Sequence, residues 1–191
     1  KNSPAEIALF QIVSDVERSY PNTFCSILLL NEDKQSFTVG SAPRIPRFFN
    51  EAVESLRVGP GVGCCGDAVA TGQKSIAENL ETHPNWAPAK SLVEQTGFKS
   101  CWSHPVHSSK GEILGTFATY RKEVHAPSAE EVAEIEAAAN LVSIVLERKI
   151  LENQVQKLAL YDYLTGLPNR YLLMDRIKLA MSVSKRSKRY G

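Results

Sequence analysis

The chain has 191 residues, with 22 Lys and Arg against 21 Asp and Glu, 43% hydrophobic residues and 23% charged residues. This balance is typical of a globular domain, and it excludes a disordered tail and a strongly basic nucleic-acid-binding protein. No apolar run approaches the roughly 18 residues that a membrane span requires, so we expect no membrane partner within this sequence. The balanced charge predicts no nucleic-acid partner, and we expect a cytoplasmic location. The first residue is Lys1 rather than Met, and we therefore expect the sequence to be part of a longer protein.

The first 126 residues predict an α+β domain built from helices and short antiparallel strands. Apolar residues at helical spacing, and short apolar runs bounded by turn residues, locate the elements. Helices are predicted at residues 5–19, 47–56, 67–71 and 89–95. Strands are predicted at residues 24–31, 37–41, 75–77, 100–107 and 113–121. Short polar turns join the first two and the last two strands, so we expect two hairpins.

One long helix is predicted over residues 127–160. Ser128 and Glu131 have the spacing of a capping box, and no Gly or Pro follows until Gly166. At 1.5 Å per residue, a helix of this length spans about 50 Å. One apolar seam stops where the helix is expected to leave its own domain. Its members are Ile135, Ala139, Val142 and Leu146.

A second apolar seam continues beyond that point with alternating steps of four and three residues. Its members are Ala137, Leu141, Ile144, Arg148, Leu151, Val155 and Leu158. This spacing is typical of a coiled coil and predicts a parallel homodimer. We expect the dimer contacts at Leu141, Ile144, Leu151, Val155 and Leu158. The alternative is a helix that packs on a further domain outside this sequence.

The segment from Gly61 to Ala68, reading GVGCCGDA, combines with Ser103–Val106 and Gly111–Phe117 in a pattern that resembles GAF domains. The resemblance covers residues 5–148. GAF domains are sensory modules, and the resemblance implies an α+β fold with a six-stranded antiparallel sheet, helices on both faces and a ligand pocket. It implies an unidentified small-molecule effector and requires no particular cofactor. The candidate pocket residues are Cys65, Asp67, Trp86, Trp102, His104 and Tyr120.

Each of these aromatic residues could instead serve core packing. The predicted helix start at residues 65–67 would offer free backbone amides to an anion, with Asp67 as the occupant from within the chain. A phosphate from outside is the alternative occupant.

The segment Asp162–Arg170, reading DYLTGLPNR, predicts a sharp stop followed by a new helix. It closely resembles the entry motif of GGDEF domains, which in diguanylate cyclases condense two GTP molecules into cyclic di-GMP. This resemblance covers residues 160–191 and includes none of that family's nucleotide-binding stretches, so it assigns no catalytic residue. We therefore predict a sensor core over 1–126, a helical linker over 127–160 and the start of a GGDEF domain over 161–191.

These resemblances imply a small-molecule-sensing and dimerisation module of a bacterial cyclic di-GMP signalling protein. The module itself is expected to be non-catalytic. The longer protein would be a diguanylate cyclase, with a phosphodiesterase domain as a further possibility.

The cysteines suggest a different function. Four are present, at Cys25, Cys64, Cys65 and Cys101, and we expect reduced thiols. Cys65 near a helix start predicts a lowered thiol pKa, and its surroundings are similar to those in free methionine-R-sulfoxide reductases. The alternatives are such a reductase using Cys65, or a thiol-based redox sensor at Cys64 and Cys65 with Cys101. No metal site is predicted, because strand alternation separates His104 from Cys101 and His107.

Overall fold

A computed structural model describes residues 3–160, 165 and 167–187. The chain divides into two compact units, Lys1–Glu147 and Arg148–Gly191. The helices are α1 (Pro4–Ser19), α2 (Arg47–Ser55), α3 (Gly63–Thr71), α4 (Lys90–Thr96), α5 (Ala129–Leu160) and α6 (Arg170–Ser187). The strands are β1 (Thr23–Leu30), β2 (Phe37–Ser41), β3 (Ser75–Ala77), β4 (Ser100–His107) and β5 (Ile113–Arg121). A 3-10 helix covers Pro84–Ala89.

The described residues of the first unit form one antiparallel sheet of five strands in the order β2-β1-β5-β4-β3. The expectation of six strands is therefore wrong, although the antiparallel α+β fold is confirmed. Two connecting segments that could have supplied another strand contain pairs of prolines, at Pro43 and Pro46 and at Pro84 and Pro88. Proline has no N–H to donate to a ladder, so two prolines in one short segment disfavour a further paired strand there.

Helices cover both faces of this sheet and create two hydrophobic clusters. On the first face, α1 and α5 pack on side chains that include Cys25 and Ile27 of β1. On the second face, α2, α3 and α4 pack on side chains that include Leu28 of β1 and Tyr120 of β5. Successive side chains of a strand point to opposite faces, so each strand contributes to both clusters.

The long helix α5 begins with the predicted capping box. Glu131 N–H donates to Ser128 Oγ at 3.2 Å, and Ser128 N–H donates to a Glu131 carboxylate oxygen at 2.8 Å. Near the end of the first unit, Glu147 accepts hydrogen bonds from Ser109 N–H at 2.8 Å and from Ser109 Oγ at 2.6 Å. These bonds attach α5 to the turn between β4 and β5.

The second unit contains the restart that the sequence predicts. The Asn169 side chain accepts a hydrogen bond from Leu172 N–H at 3.0 Å and so begins α6. Residues 161–164, 166 and 188–191 of the predicted GGDEF start lie outside the described residues. Of the helices that are described, none is both long enough and apolar enough to cross a membrane.

Candidate functional site

A cavity of about 410 Å³ lies on the second face of the sheet, among α2, α3 and the 3-10 helix. This volume falls within the range of about 300–1,000 Å³ that is typical of small-molecule sites. Most of the lining side chains are apolar, and Arg57 is the charged group among the described residues that line it. Burying an unpaired charge is costly, so the lining favours a ligand with an apolar body and at most one anionic group.

Three of the six candidate pocket residues line this cavity: Cys65, Trp86 and Tyr120. Trp102 and His104 do not, because β4 directs Cys101 towards the second face and alternation directs Trp102 to the first. His104 lies two residues after Trp102 and so shares its side of the strand. Of the four aromatic candidates, Trp86 and Tyr120 therefore face one cavity, whereas Trp102 and His104 lie on the other side of the sheet.

Asp67 lies outside the cavity lining because it is one turn into α3. Its carboxylate accepts a hydrogen bond from Ser75 Oγ at 2.9 Å, which joins α3 to β3. The helix begins four residues earlier than the sequence predicts, at Gly63. Gly66 N–H therefore donates to Val62 O at 3.2 Å and is not free, which corrects the expectation of an anion site there.

Glycine allows the first turn of α3 to pack closely. Gly63 has a φ of +59°, and a Cβ atom on Gly66 would lie 2.9 Å from Gly59 O. Positive φ is strained for residues with a side chain, and a backbone contact that short cannot be relieved by rotating a side chain. The glycines on each side thus bring Cys64 and Cys65 to the wall of the cavity.

Cys64 lies in a polar environment although it is fully buried. Trp86 Nε1–H donates to Cys64 Sγ at 3.3 Å, and the Cys64 thiol donates to the backbone carbonyl oxygen of Cys101 at 3.4 Å. A hydrogen bond from the Cys101 thiol lowers the pKa of Cys64, and the Trp86 bond adds to this effect against the opposing effect of burial. The pKa of Cys64 is therefore lowered from its ordinary value, unlike those of the other three cysteines.

Cys65 behaves differently from the sequence-based expectation. Burial raises the pKa of Cys65, and its neighbouring Ser103 and Thr116 hydroxyls offset this only in part. Its Sγ atom lies 4.0 Å from Tyr120 Oη. The predicted lowering of the Cys65 pKa is wrong, because the thiol points into the protein core rather than towards an exposed helix start.

The four cysteines are free thiols, and all are buried. Burial also raises the pKa values of Cys25 and Cys101 well above their ordinary value. Among the described residues, no group of three or more His, Cys, Asp or Glu side chains is placed to hold a metal ion. The cavity therefore offers thiols, aromatic rings and the Arg57 guanidinium to a ligand.

Sequence reasoning missed the contribution of α2 to the cavity. Phe49, Val53 and Leu56 line it, and Phe49 packs edge-on against Tyr120 with ring centroids 5.5 Å apart. Their spacing of four and three residues was a readable signal of one helix face. The spacing alone does not show whether this face of α2 packs fully against the sheet or leaves a cavity.

The chain matches the GAF domain family over residues 5–147. Among known proteins, a methyl sulfide methyltransferase-associated sensor from Methanosarcina acetivorans is 30% identical over 139 residues. The aligned region is 73% of this chain and 14% of that protein, so the chain spans about one seventh of the relative's length.

Two solved structures have the same architecture. The GAF domain of a phosphoenolpyruvate-protein phosphotransferase from Coxiella burnetii is 19% identical, with a TM-score of 0.66 over 80% of this chain and 88% of that one. A type II free methionine-R-sulfoxide reductase from Thermoplasma acidophilum is 15% identical, with a TM-score of 0.61 over 75% of this chain and 93% of that one. At these identities the likeness shows the fold alone. Because the family match covers most of the sequence, the chain belongs to the GAF domain family.

Proposed function

We propose that this chain is the small-molecule-sensing and dimerisation module of a bacterial cyclic di-GMP signalling protein. The main observation in support of this proposal is the cavity. GAF domains commonly bind small-molecule effectors, and this one has a partly open cavity of about 410 Å³ against the central strand of its sheet. The relative from Methanosarcina acetivorans is itself named as a sensor, which supports a sensory role.

The effector is a small molecule with a largely apolar body. Phe49, Trp86 and Tyr120 offer aromatic surfaces, and Arg57 offers one positive charge. A nucleotide with several phosphate charges would lack partners here, since the other lining residues are neutral. Binding would stabilise the folded sensor by mass action, and the stabilisation would grow with the logarithm of ligand concentration once that concentration exceeds the Kd.

The second half of the proposal concerns α5. Leu141 and Ile144 in the first unit are 54% and 63% exposed, and Leu151, Val155 and Leu158 in the second unit are 60%, 65% and 71% exposed. Large apolar side chains at coiled-coil spacing normally have a partner, and a second copy of the same helix supplies an identical seam. We therefore assign the second copy as the partner.

The third part concerns the output. Residues 162–170 resemble the entry of a GGDEF domain, and the chain covers 14% of its longer relative, which leaves room for further domains in such proteins. A two-fold symmetric product made from two GTP molecules requires two catalytic domains to meet. An effector that changes the geometry of the dimer would change the rate at which the two catalytic domains form the product. A coupling free energy of about 1–3 kcal/mol between the effector site and the output is sufficient for such regulation.

The test uses the longer protein that contains this chain. We expect it to form cyclic di-GMP from GTP and Mg²⁺, with the product identified by mass spectrometry. Val53→Trp places an indole inside the cavity and is expected to change the rate of product formation at least severalfold. Glu51→Trp adds the same group on the exposed side of α2 and is expected to leave the rate unchanged.

Failure to form, hydrolyse or bind cyclic di-GMP would overturn the output assignment. Equal effects of the two tryptophan variants would overturn the sensory role of the cavity. The reductase alternative is examined with the same material: consumption of free methionine-R-sulfoxide that disappears in Cys65→Ser would replace this proposal with an enzyme.

A further inference from the structure

Three of the four cysteines meet at one wall of the cavity. Cys64 and Cys65 line it from α3, and Cys101 lies beneath them on β4. Cys64 and Cys101 are 37 positions apart in sequence, yet the Cys64 thiol donates a hydrogen bond to the Cys101 backbone carbonyl oxygen at 3.4 Å. Both side chains belong to the same buried cluster on the second face, and the Cys101 side chain is close enough to lower the pKa of Cys64. Cys25 lies on the opposite face of the sheet.

The surroundings of the Cys64–Cys101 pair favour reaction at Cys64. Its sulfur accepts the Trp86 Nε1–H bond at 3.3 Å. Cys64 lines the cavity although its side chain is fully buried, so a small reagent in the cavity would reach the sulfur after a local movement of that wall. The thiolate is the nucleophilic form of cysteine, and donors directed at the sulfur stabilise it. Cys101 is fully buried and does not line this cavity, so a reagent in the cavity meets Cys64 before Cys101.

We propose that Cys64 is a site of reversible oxidation by small hydroperoxides and that Cys101 is its resolving thiol. The Cys64 thiolate attacks the peroxide, an S–O bond forms, the O–O bond breaks, and hydroxide or alkoxide leaves. Cys101 sulfur then attacks Cys64 sulfur. An S–S bond forms, the S–O bond breaks, and hydroxide leaves with the Cys101 proton as water. The two thiols lose two electrons and the peroxide gains them.

The disulfide would join the first turn of α3 to β4. Both elements contribute to the second face of the sheet, so the bond would fix one wall of the cavity. A thiol reductant would reverse it. This inference is independent of the proposed ligand and of dimerisation, because the oxidation is measured on the chain alone.

The experiment treats the wild-type chain with an equimolar amount of hydrogen peroxide and maps its peptides without reduction. We expect a mass loss of about 2 Da and a cross-linked peptide pair containing Cys64 and Cys101, both reversed by dithiothreitol. Cys64→Ala and Cys101→Ala are each expected to abolish the pair, and Cys25→Ala is the matched control that retains it. Trp86→Phe is expected to slow the reaction, because it removes the donor to the Cys64 sulfur.

The peptide map of the oxidised wild-type chain shows whether the Cys64–Cys101 disulfide forms, even if a variant fails to fold. Thiols that remain unmodified, a bond between Cys64 and Cys65, a bond between two chains, or oxidation that stops at sulfinic acid would each overturn the inference. None of these results would bear on the sensory proposal, which is tested by the two tryptophan variants, the cyclic di-GMP assay and the sulfoxide assay.

Discussion

Glu17 is a buried carboxyl group in the core of the first unit, with only 6% of its surface exposed. Its carboxylate accepts a hydrogen bond from Cys25 N–H at 2.9 Å, and Arg44 Nε lies 4.0 Å away. Burial raises the pKa of Glu17, and these two neighbours offset the rise only in part. The side chain is therefore needed as a hydrogen-bond acceptor, while its negative charge is costly.

Two substitutions separate these roles. Glu17→Gln keeps an acceptor for Cys25 N–H and is expected to unfold with an equal or larger free energy than wild type at pH 7. Glu17→Leu leaves that N–H without an acceptor and is expected to lose about 1–3 kcal/mol. The measurement is urea unfolding of both variants beside wild type.

The pH dependence gives a second check on Glu17. Because its folded-state pKa is raised, the stabilisation from binding a proton is complete below the unfolded-state pKa and is lost as pH rises through the folded value. Any advantage of Glu17→Gln at pH 7 should therefore disappear as the pH approaches the ordinary value of 4.5. An advantage that persists at that pH would contradict this account.

The sequence indicated several residues of the cavity, but it predicted only in part which face of the sheet each side chain points to. Alternation along β4 requires that Cys101 and Trp102 point to opposite faces. Helices cover both faces of the sheet, so the apolar pattern does not show which face contains the cavity. The pKa of Cys64 is lowered by Cys101 and Trp86, which are distant in sequence and close only in the fold. The sequence alone therefore did not show that Cys64, rather than Cys65, has the lowered pKa.

At the scale of elements, the start of α5 is attached to the sheet by charged groups. Glu131 forms an ion pair with Arg121 at the end of β5, and its other oxygen lies 3.0 Å from His125 Nε2. The His125 ring packs on Trp102 with centroids 5.6 Å apart. Partial burial raises the pKa of Glu131, but the Ser128, His125 and Arg121 interactions outweigh it and leave the value below 4.5.

We expect Glu131→Gln to reduce the free energy of unfolding by about 1–3 kcal/mol at pH 7, because it removes a charged partner from Arg121. A lowered folded-state pKa contributes stability above the unfolded value, and this is lost as pH falls through the folded value. The difference from wild type should therefore shrink below pH 4.5. Glu130→Gln on the exposed side of the same turn is the control, and an equal loss there would reject the assignment.

The elements themselves were largely predictable. Strands β2, β3, β4 and β5 have the bounds that the apolar runs predict, since turns of Gly, Ser, Asn and Asp mark their ends. The pattern of residues itself indicated five strands, and the sixth came from the family resemblance. The start of α3 was missed because Gly63 and Gly66 are read as a loop, whereas tertiary packing holds them in a helix.

For the whole molecule, the proposed dimer makes the clearest prediction. Leu151→Glu combined with Val155→Glu places two charges in each copy of the apolar seam and is expected to convert a dimer into a monomer. Asn153→Glu, an exposed position off the seam, adds charge without touching the interface and is expected to leave the dimer intact.

Mass in solution, measured by light scattering at micromolar concentration, checks the dimer prediction. A wild-type monomer would refute it, and so would a dimer that survives the double substitution.

The order of strands in the sheet also governs how the domain is made. The middle strand, β5, is the last of the five in sequence, and its pairing with β1 brings Cys25 opposite Thr119. During synthesis one edge of β1 stays unpaired until β5 has left the ribosome. An unpaired strand edge can form hydrogen bonds with other chains and so promotes aggregation. Pairings this distant also slow folding. Expression of any truncation that ends before residue 121 should therefore give aggregated protein, because the sheet then lacks its central strand.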